Sequence, residues 1–141
     1  MIRKCIKFDL SGFIKDNQDV FKHVALIDVE LYIDEKAVKE VATFLKENKK
    51  KFRSILYYIL QGKYNESLYG KENVSEKAKD ITAMKFSGKL NSRIYCKEFF
   101  LSNGKKIVAI EFLENKSFQS ASKKSLKPKL ESIGGYEYEF K

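Results

Sequence analysis

The stretch SRIYCKEFFLSNGKKIVAIEFLE, residues 92–114, decides the fold. Its two halves are rich in β-branched and aromatic residues, and between them lies Ser102-Asn103-Gly104-Lys105. The Asn-Gly pair suits the positive φ angles of a type I′ turn, so an antiparallel hairpin is expected here. In the first half Ile94 and Cys96 share one face, and Arg93, Tyr95 and Lys97 share the other. One face reads as buried and the other as a basic platform carrying an aromatic ring.

Outward from the hairpin, DITAMKF (residues 80–86) supplies a third strand, and Lys63 to Lys79 reads as a long polar connection. Upstream, ALIDVELYI (25–33) alternates as a strand with one buried face. Asp34 offers an N-cap to a helix over about 35–47, whose Ala37, Val38, Val41, Phe44 and Leu45 recur at helical spacing. After the short ENKKK connection, Phe52, Ile55, Leu56 and Ile59 repeat that pattern until Gly62. Two helices so closely linked form an antiparallel hairpin. At the N-terminus IRKCIKF reads as a strand and KDNQD as a loop. Towards the C-terminus Pro128 fits the first turn of a short helix ended by Gly134 and Gly135, and YEYEF reads as a last strand.

The 141 residues make one domain, in which residues 1–26 are an extension, 27–133 the core and 134–141 a tail. The expected class is α+β, with a twisted antiparallel sheet against the helix hairpin. No run of about 18 apolar residues is present to span a bilayer, and the N-terminus lacks the apolar core of a secretion signal, so a cytoplasmic protein is expected. Cys5 and Cys96 are too few for a metal cluster or a disulfide framework, and the single His23 leaves little scope for imidazole chemistry. His23 is expected in a turn or at an edge. The formal charge of +9 is uneven: residues 1–83 carry 16 basic and 13 acidic side chains, residues 84–141 carry 12 and 6. A polyanion or an acidic partner is expected to meet the C-terminal half.

Of 28 basic residues only three are arginines, Arg3, Arg53 and Arg93. A guanidinium grips two phosphate oxygens at once, as an ammonium cannot. Metal-free RNA cleavage needs a base for the 2′-hydroxyl, a cation for the phosphorane and an acid for the departing oxygen. Arg93 suits the second role, and Lys85, Lys89 and Lys116 could surround the same phosphate. Tyr95, or Tyr136 and Tyr138 in the tail, could stack on a base or exchange a proton. The structural alternative is that Arg93 pairs with Glu98 or Glu111 across the hairpin and that the lysines keep the sheet soluble.

The segments DVELYIDEKAVKEVATFLKENKKKFRSILYYI, MKFSGKLNSRIYCKEF and GKKIVAIEFLENKSFQ, in that order, resemble the RelE/ParE toxin family of bacterial toxin–antitoxin systems over about residues 27–133. The resemblance implies a metal-free, cofactor-free endoribonuclease toxin that cuts messenger RNA in the ribosome and is covered by an acidic antitoxin. By resemblance Arg93, Lys85 and Lys89 match basic residues around the family's central strand and Lys116 falls where a second basic catalytic residue is common, so Arg93, Lys85 and Lys116 are the catalytic candidates; Lys89, Tyr95, Lys97, Lys123, Lys124, Tyr136 and Tyr138 are the RNA-binding candidates, Tyr136 and Tyr138 coming later in the chain than the family's pattern. Phe118 and Gln119 stand where active members often carry a tyrosine or histidine, which puts the general base in doubt. Two alternatives are a ParE-like toxin that binds a protein such as DNA gyrase without cutting, and a basic nucleic-acid-binding module.

Overall fold

A computed structural model describes residues 2–73, 75–86, 92–115 and 119–140, and the side chains of 112–115 and 119–125 lie outside that description. The hairpin that anchors the sequence reading forms from strands β5 (Ser92–Phe100) and β6 (Lys106–Asn115). Its turn is not type I′. Gly104 has φ +88° while Asn103 is not left-handed, Gly104 N–H bonds Leu101 O, and Leu101 N–H bonds Lys105 O. One left-handed glycine after a right-handed turn closes the hairpin, and the Asn103 side chain accepts from Lys105 N–H instead of bending its own backbone.

Chain order is β1 (Ile2–Lys7), α1 (Leu10–Asp16), α2 (Gln18–Phe21), β2 (Val29–Asp34), α3 (Val38–Glu47), α4 (Lys49–Ile59), β3 (Tyr69–Lys71), a 3-10 turn at Glu76–Ala78, β4 (Ile81–Phe86), β5, β6, α5 (Gln119–Gly134) and β7 (Glu137–Phe140). The class is α+β as expected, but the sheet is larger and mixed. Seven strands lie in the order β3-β4-β5-β6-β2-β1-β7, with β2 parallel to β6 and β1 parallel to β7. Strand alternation predicts which residues are buried, and it does not reveal pairing direction between distant segments.

Other local expectations are corrected. KDNQD is helical: Asp9 caps α1 by accepting from Gly12 N–H, and Phe8, Phe13 and Phe21 tuck the α1–α2 pair against Phe52 and one another. Asp34 does not cap α3, which begins after Ala37; its carboxylate accepts from Lys36 N–H inside the preceding turn. The polar connection after Lys63 contains β3, held to β4. α5 runs through Pro128 rather than starting there, giving up one backbone N–H donor. His23 sits exposed in the turn after α2.

One face of the sheet is covered by α1 to α4. Leu31, Ile33, Met84, Ile94, Cys96, Val108 and Ile110 meet Val41, Leu45, Phe52, Ile55, Leu56 and Ile59 there. The other face is not the open platform expected. α5 lies on it, packing Leu126, Leu130 and Ile133 onto Ile81, Ala83 and Tyr95. Beyond α5 the sheet curls: Phe99 of β5 and Tyr138 of β7, four places apart in strand order, have ring centroids 5.4 Å apart. A flat sheet would separate those strands by about 19 Å. Cys5, Tyr32, Ile107 and Ala109 fill the inside of the curl with Phe99, Tyr138 and Phe140. Among the described residues no helix is long and apolar enough to cross a membrane.

Candidate nucleic-acid interface

Register brings two of the sequence-selected residues together. Lys85 and Arg93 are directly opposed across β4 and β5, at the end of the sheet where β6 leads into α5. Arg93 neither pairs with Glu98 nor with Glu111; its Nη1 donates to Glu72 Oε1 at 2.6 Å. Glu72 follows the three-residue strand β3, so this contact reaches across β4, where the paired Gly70 and Ala83 leave room. The Arg93 side chain keeps 27% of its exposure, enough to meet a ligand, whereas Glu72 keeps 12%. Lys85 Nζ donates to Glu66 O at 2.6 Å.

The remaining candidates are dispersed. Tyr95 is wholly buried beneath α5, so its ring is not presented to a base. Lys97 is 9% exposed; its Nζ donates to Gly134 O at 2.7 Å and lies over the rings of Phe99 and Tyr138. Burial lowers its pKa against the opposing pull of Asp80. Its geometry is that of a clamp between β5 and the end of α5. Tyr138 lies in the curl, and Tyr136 packs against the α5 cluster under the guanidinium of Arg3. Lys89 and Lys116 lie outside the described residues, and Lys123 and Lys124 lie on α5 with side chains outside the description.

A second polar centre was not foreseen. At β5–β6 the register passes from Tyr95↔Phe112 to Cys96↔Ile110, so Glu111 is the extra residue of a β-bulge. Beside it on β2 stands Asp34, and both carboxyl groups are buried. Arg3 of β1 joins them, with Nε to Asp34 Oδ2 at 2.7 Å and Nη2 to Glu111 Oε1 at 3.1 Å, and Tyr138 Oη donates to Glu111 Oε2 at 3.0 Å. Burial and the hydrogen bond with Asp34 push the Glu111 pKa up to about 8. Burial alone would raise Asp34, but its bonds from Glu111, Lys36 N–H and Arg3 hold it below the ordinary value. At neutral pH the pair therefore shares one proton, carried by Glu111. The same burial and the two acids push the Cys5 thiol up to about 12, leaving it unreactive.

The sheet face that carries Ile94 and Cys96 holds another buried ion pair. Lys106 Nζ meets Glu98 Oε2 at 2.8 Å, and the same carboxylate accepts from Tyr69 Oη at 2.6 Å and Tyr64 Oη at 2.7 Å. Glu98 is thereby fully engaged as a structural anchor. The only sequence signal for these centres was an acidic residue inside an apolar strand, Glu98 in YCKEFF and Glu111 in VAIEFL. Comparison with known proteins gives no match to a family model, a curated protein or a solved structure.

Proposed function

We propose that this chain is a RelE-like toxin that cuts messenger RNA, with Arg93 at the scissile phosphate. The observation that carries this reading is the cross-strand placement of Arg93 beside Lys85, with the Glu72 carboxylate 2.6 Å from the guanidinium. Cation and carboxylate together match the needs of metal-free transesterification. Glu72 removes the 2′-hydroxyl proton, the 2′-oxygen attacks phosphorus, Arg93 stabilises the phosphorane, and Lys85 donates a proton to the departing 5′-oxygen. The products are a 2′,3′-cyclic phosphate and a 5′-hydroxyl. The strand, helix hairpin and meander formed by β2, α3, α4, β4, β5 and β6 also supports the reading, as does the excess of basic charge in residues 84–141, which suits an acidic antitoxin.

A second reading, a ParE-like toxin that occupies a protein target without cutting RNA, is favoured by the burial of Tyr95. Induced expression of wild type, Arg93→Ala and Glu72→Gln in a bacterial host, with growth followed and RNA 5′ ends mapped, tests the first. Growth arrest with new cuts in translated codons is expected for wild type alone. Removing one charge-stabilising donor costs about 3 kcal/mol of barrier, roughly 100-fold in rate. Arrest with intact messages rejects cleavage, and inhibition of gyrase supercoiling then identifies the second reading.

A further inference from the structure

A cavity of about 450 Å³ lies where the N-terminal extension meets the helix hairpin. Its volume is within the range of small-molecule sites. Phe8 and Phe13 of the extension line it together with Ile33 of β2, Leu45 of α3 and Phe52 of α4. The rings of Phe8, Phe13 and Phe52 meet one another in tilted and edge-on contacts, with centroids 5.4, 5.7 and 6.2 Å apart. Those contacts fix the three rings as one wall of the space. Phe52 is buried, whereas Phe8 and Phe13 keep part of their surface, which an apolar guest would cover.

The polar residues of the lining are Asp16 and Asn17 at the end of α1, Lys46 at the end of α3 and Lys49 at the start of α4. Asn17 Nδ2 is engaged at 2.9 Å by Phe13 O, closing α1. Asp16, Lys46 and Lys49 are exposed, and none of them makes an ion pair among the described residues. Two cations against one carboxylate leave a single positive charge at the rim of an apolar space. That balance matches a guest with an apolar body and one negative charge. A phosphate monoester, with a charge of about −2 at pH 7, exceeds it, and a neutral hydrocarbon leaves it unmatched.

We infer that this cavity binds a small amphipathic carboxylate of the medium-chain fatty acid class, its apolar body against Phe8, Phe13, Leu45 and Phe52 and its carboxylate at the rim that carries Lys46 and Lys49. The N-terminal extension thereby supplies one side of a ligand site. The inference is independent of whether Arg93 supports RNA cleavage, since it uses neither Arg93 nor Lys85.

Calorimetric titration of the full chain with octanoate, 1-octanol and acetate tests it. Octanoate is expected to bind at one site per chain and more tightly than octanol, which lacks the charge, or acetate, which lacks the apolar body. Ala42 lines the cavity from an exposed position on α3, so Ala42→Trp fills the space and should weaken octanoate about tenfold or more. Thr43→Trp, the neighbouring exposed position on the same helix and outside the lining, should not. Joint reversal of the rim in Lys46→Glu/Lys49→Glu should weaken octanoate by a similar factor and leave octanol unchanged. Circular dichroism verifies that the variants fold. No binding of octanoate, octanol binding as tightly as octanoate, or equal weakening by Thr43→Trp overturns the assignment.

Discussion

Glu111→Gln should flatten the dependence of stability on pH. The Glu111 carboxyl titrates near 4.5 when unfolded and near 8 when folded, because burial and Asp34 disfavour its ionised form. Between those values the folded state holds a proton that the unfolded state has released. The associated stability is therefore complete below about pH 4.5 and is lost as the pH rises through 8. At 1.36 kcal/mol per pH unit, with the slope fading near the folded pKa, wild type should lose about 2 kcal/mol between pH 6 and pH 8. Glutamine keeps the shape, donates an N–H towards Asp34 and still accepts from Arg3, but it does not titrate. The chain has no tryptophan, so urea unfolding is followed by far-ultraviolet circular dichroism at pH 6, 7 and 8, with an unchanged m-value as the control. Contributions common to both proteins cancel in the difference. A wild-type minus variant difference that stays constant across pH 6–8 would falsify the shared-proton account.

Gly134→Ala should destabilise by about 2 kcal/mol or more, because a Cβ there would run into the backbone oxygen of Lys77, whereas Gly135→Ala, with nothing closer than 3.6 Å, should be mild; thermal melting compares them. Glu98→Ala strands the Lys106 ammonium, 3% exposed, and should cost about 3–5 kcal/mol, with much of the loss recovered in Glu98→Leu/Lys106→Met. Chemical denaturation of the single and double variants checks this. Lys97→Met removes the bond to Gly134 O and should speed amide exchange in β7 relative to β4, as read by hydrogen–deuterium exchange.

Local patterns in the sequence were enough to locate β4, β5 and β6, because alternation and a glycine turn are properties of adjacent residues. The two helices after β2 were legible for the same reason: Val41, Leu45, Phe52, Ile55 and Ile59 keep helical spacing and are all buried. Hidden features depend on distant partners. Nothing near Arg3 announces Asp34, 31 residues away, or Glu111, 108 residues away. Arg93 stood out as a rare arginine, but its partner Glu72 sits beside a three-residue strand too short to show alternation. The platform seen in Arg93, Tyr95 and Lys97 was a correct reading of a shared face and a wrong reading of its cover, because α5 carries its apolar residues Leu126, Leu130 and Ile133 among lysines and a proline. A bulge at Glu111 has no signature in VAIEFL that distinguishes it from continuous alternation.

The pairing of β1 with β7 sets Arg3 opposite Tyr138. In kinetic terms this is the most expensive loop in the molecule, closed only when nearly the whole chain has been brought round. Until then β1 can hydrogen-bond to β2 but presents a bare edge, with Ile2 and Ile6 facing solvent beside it. An unpaired apolar edge is the part of a folding chain most open to another chain. The final four-residue strand thus acts as a late seal, and the time a nascent molecule spends without it sets its window for misassembly.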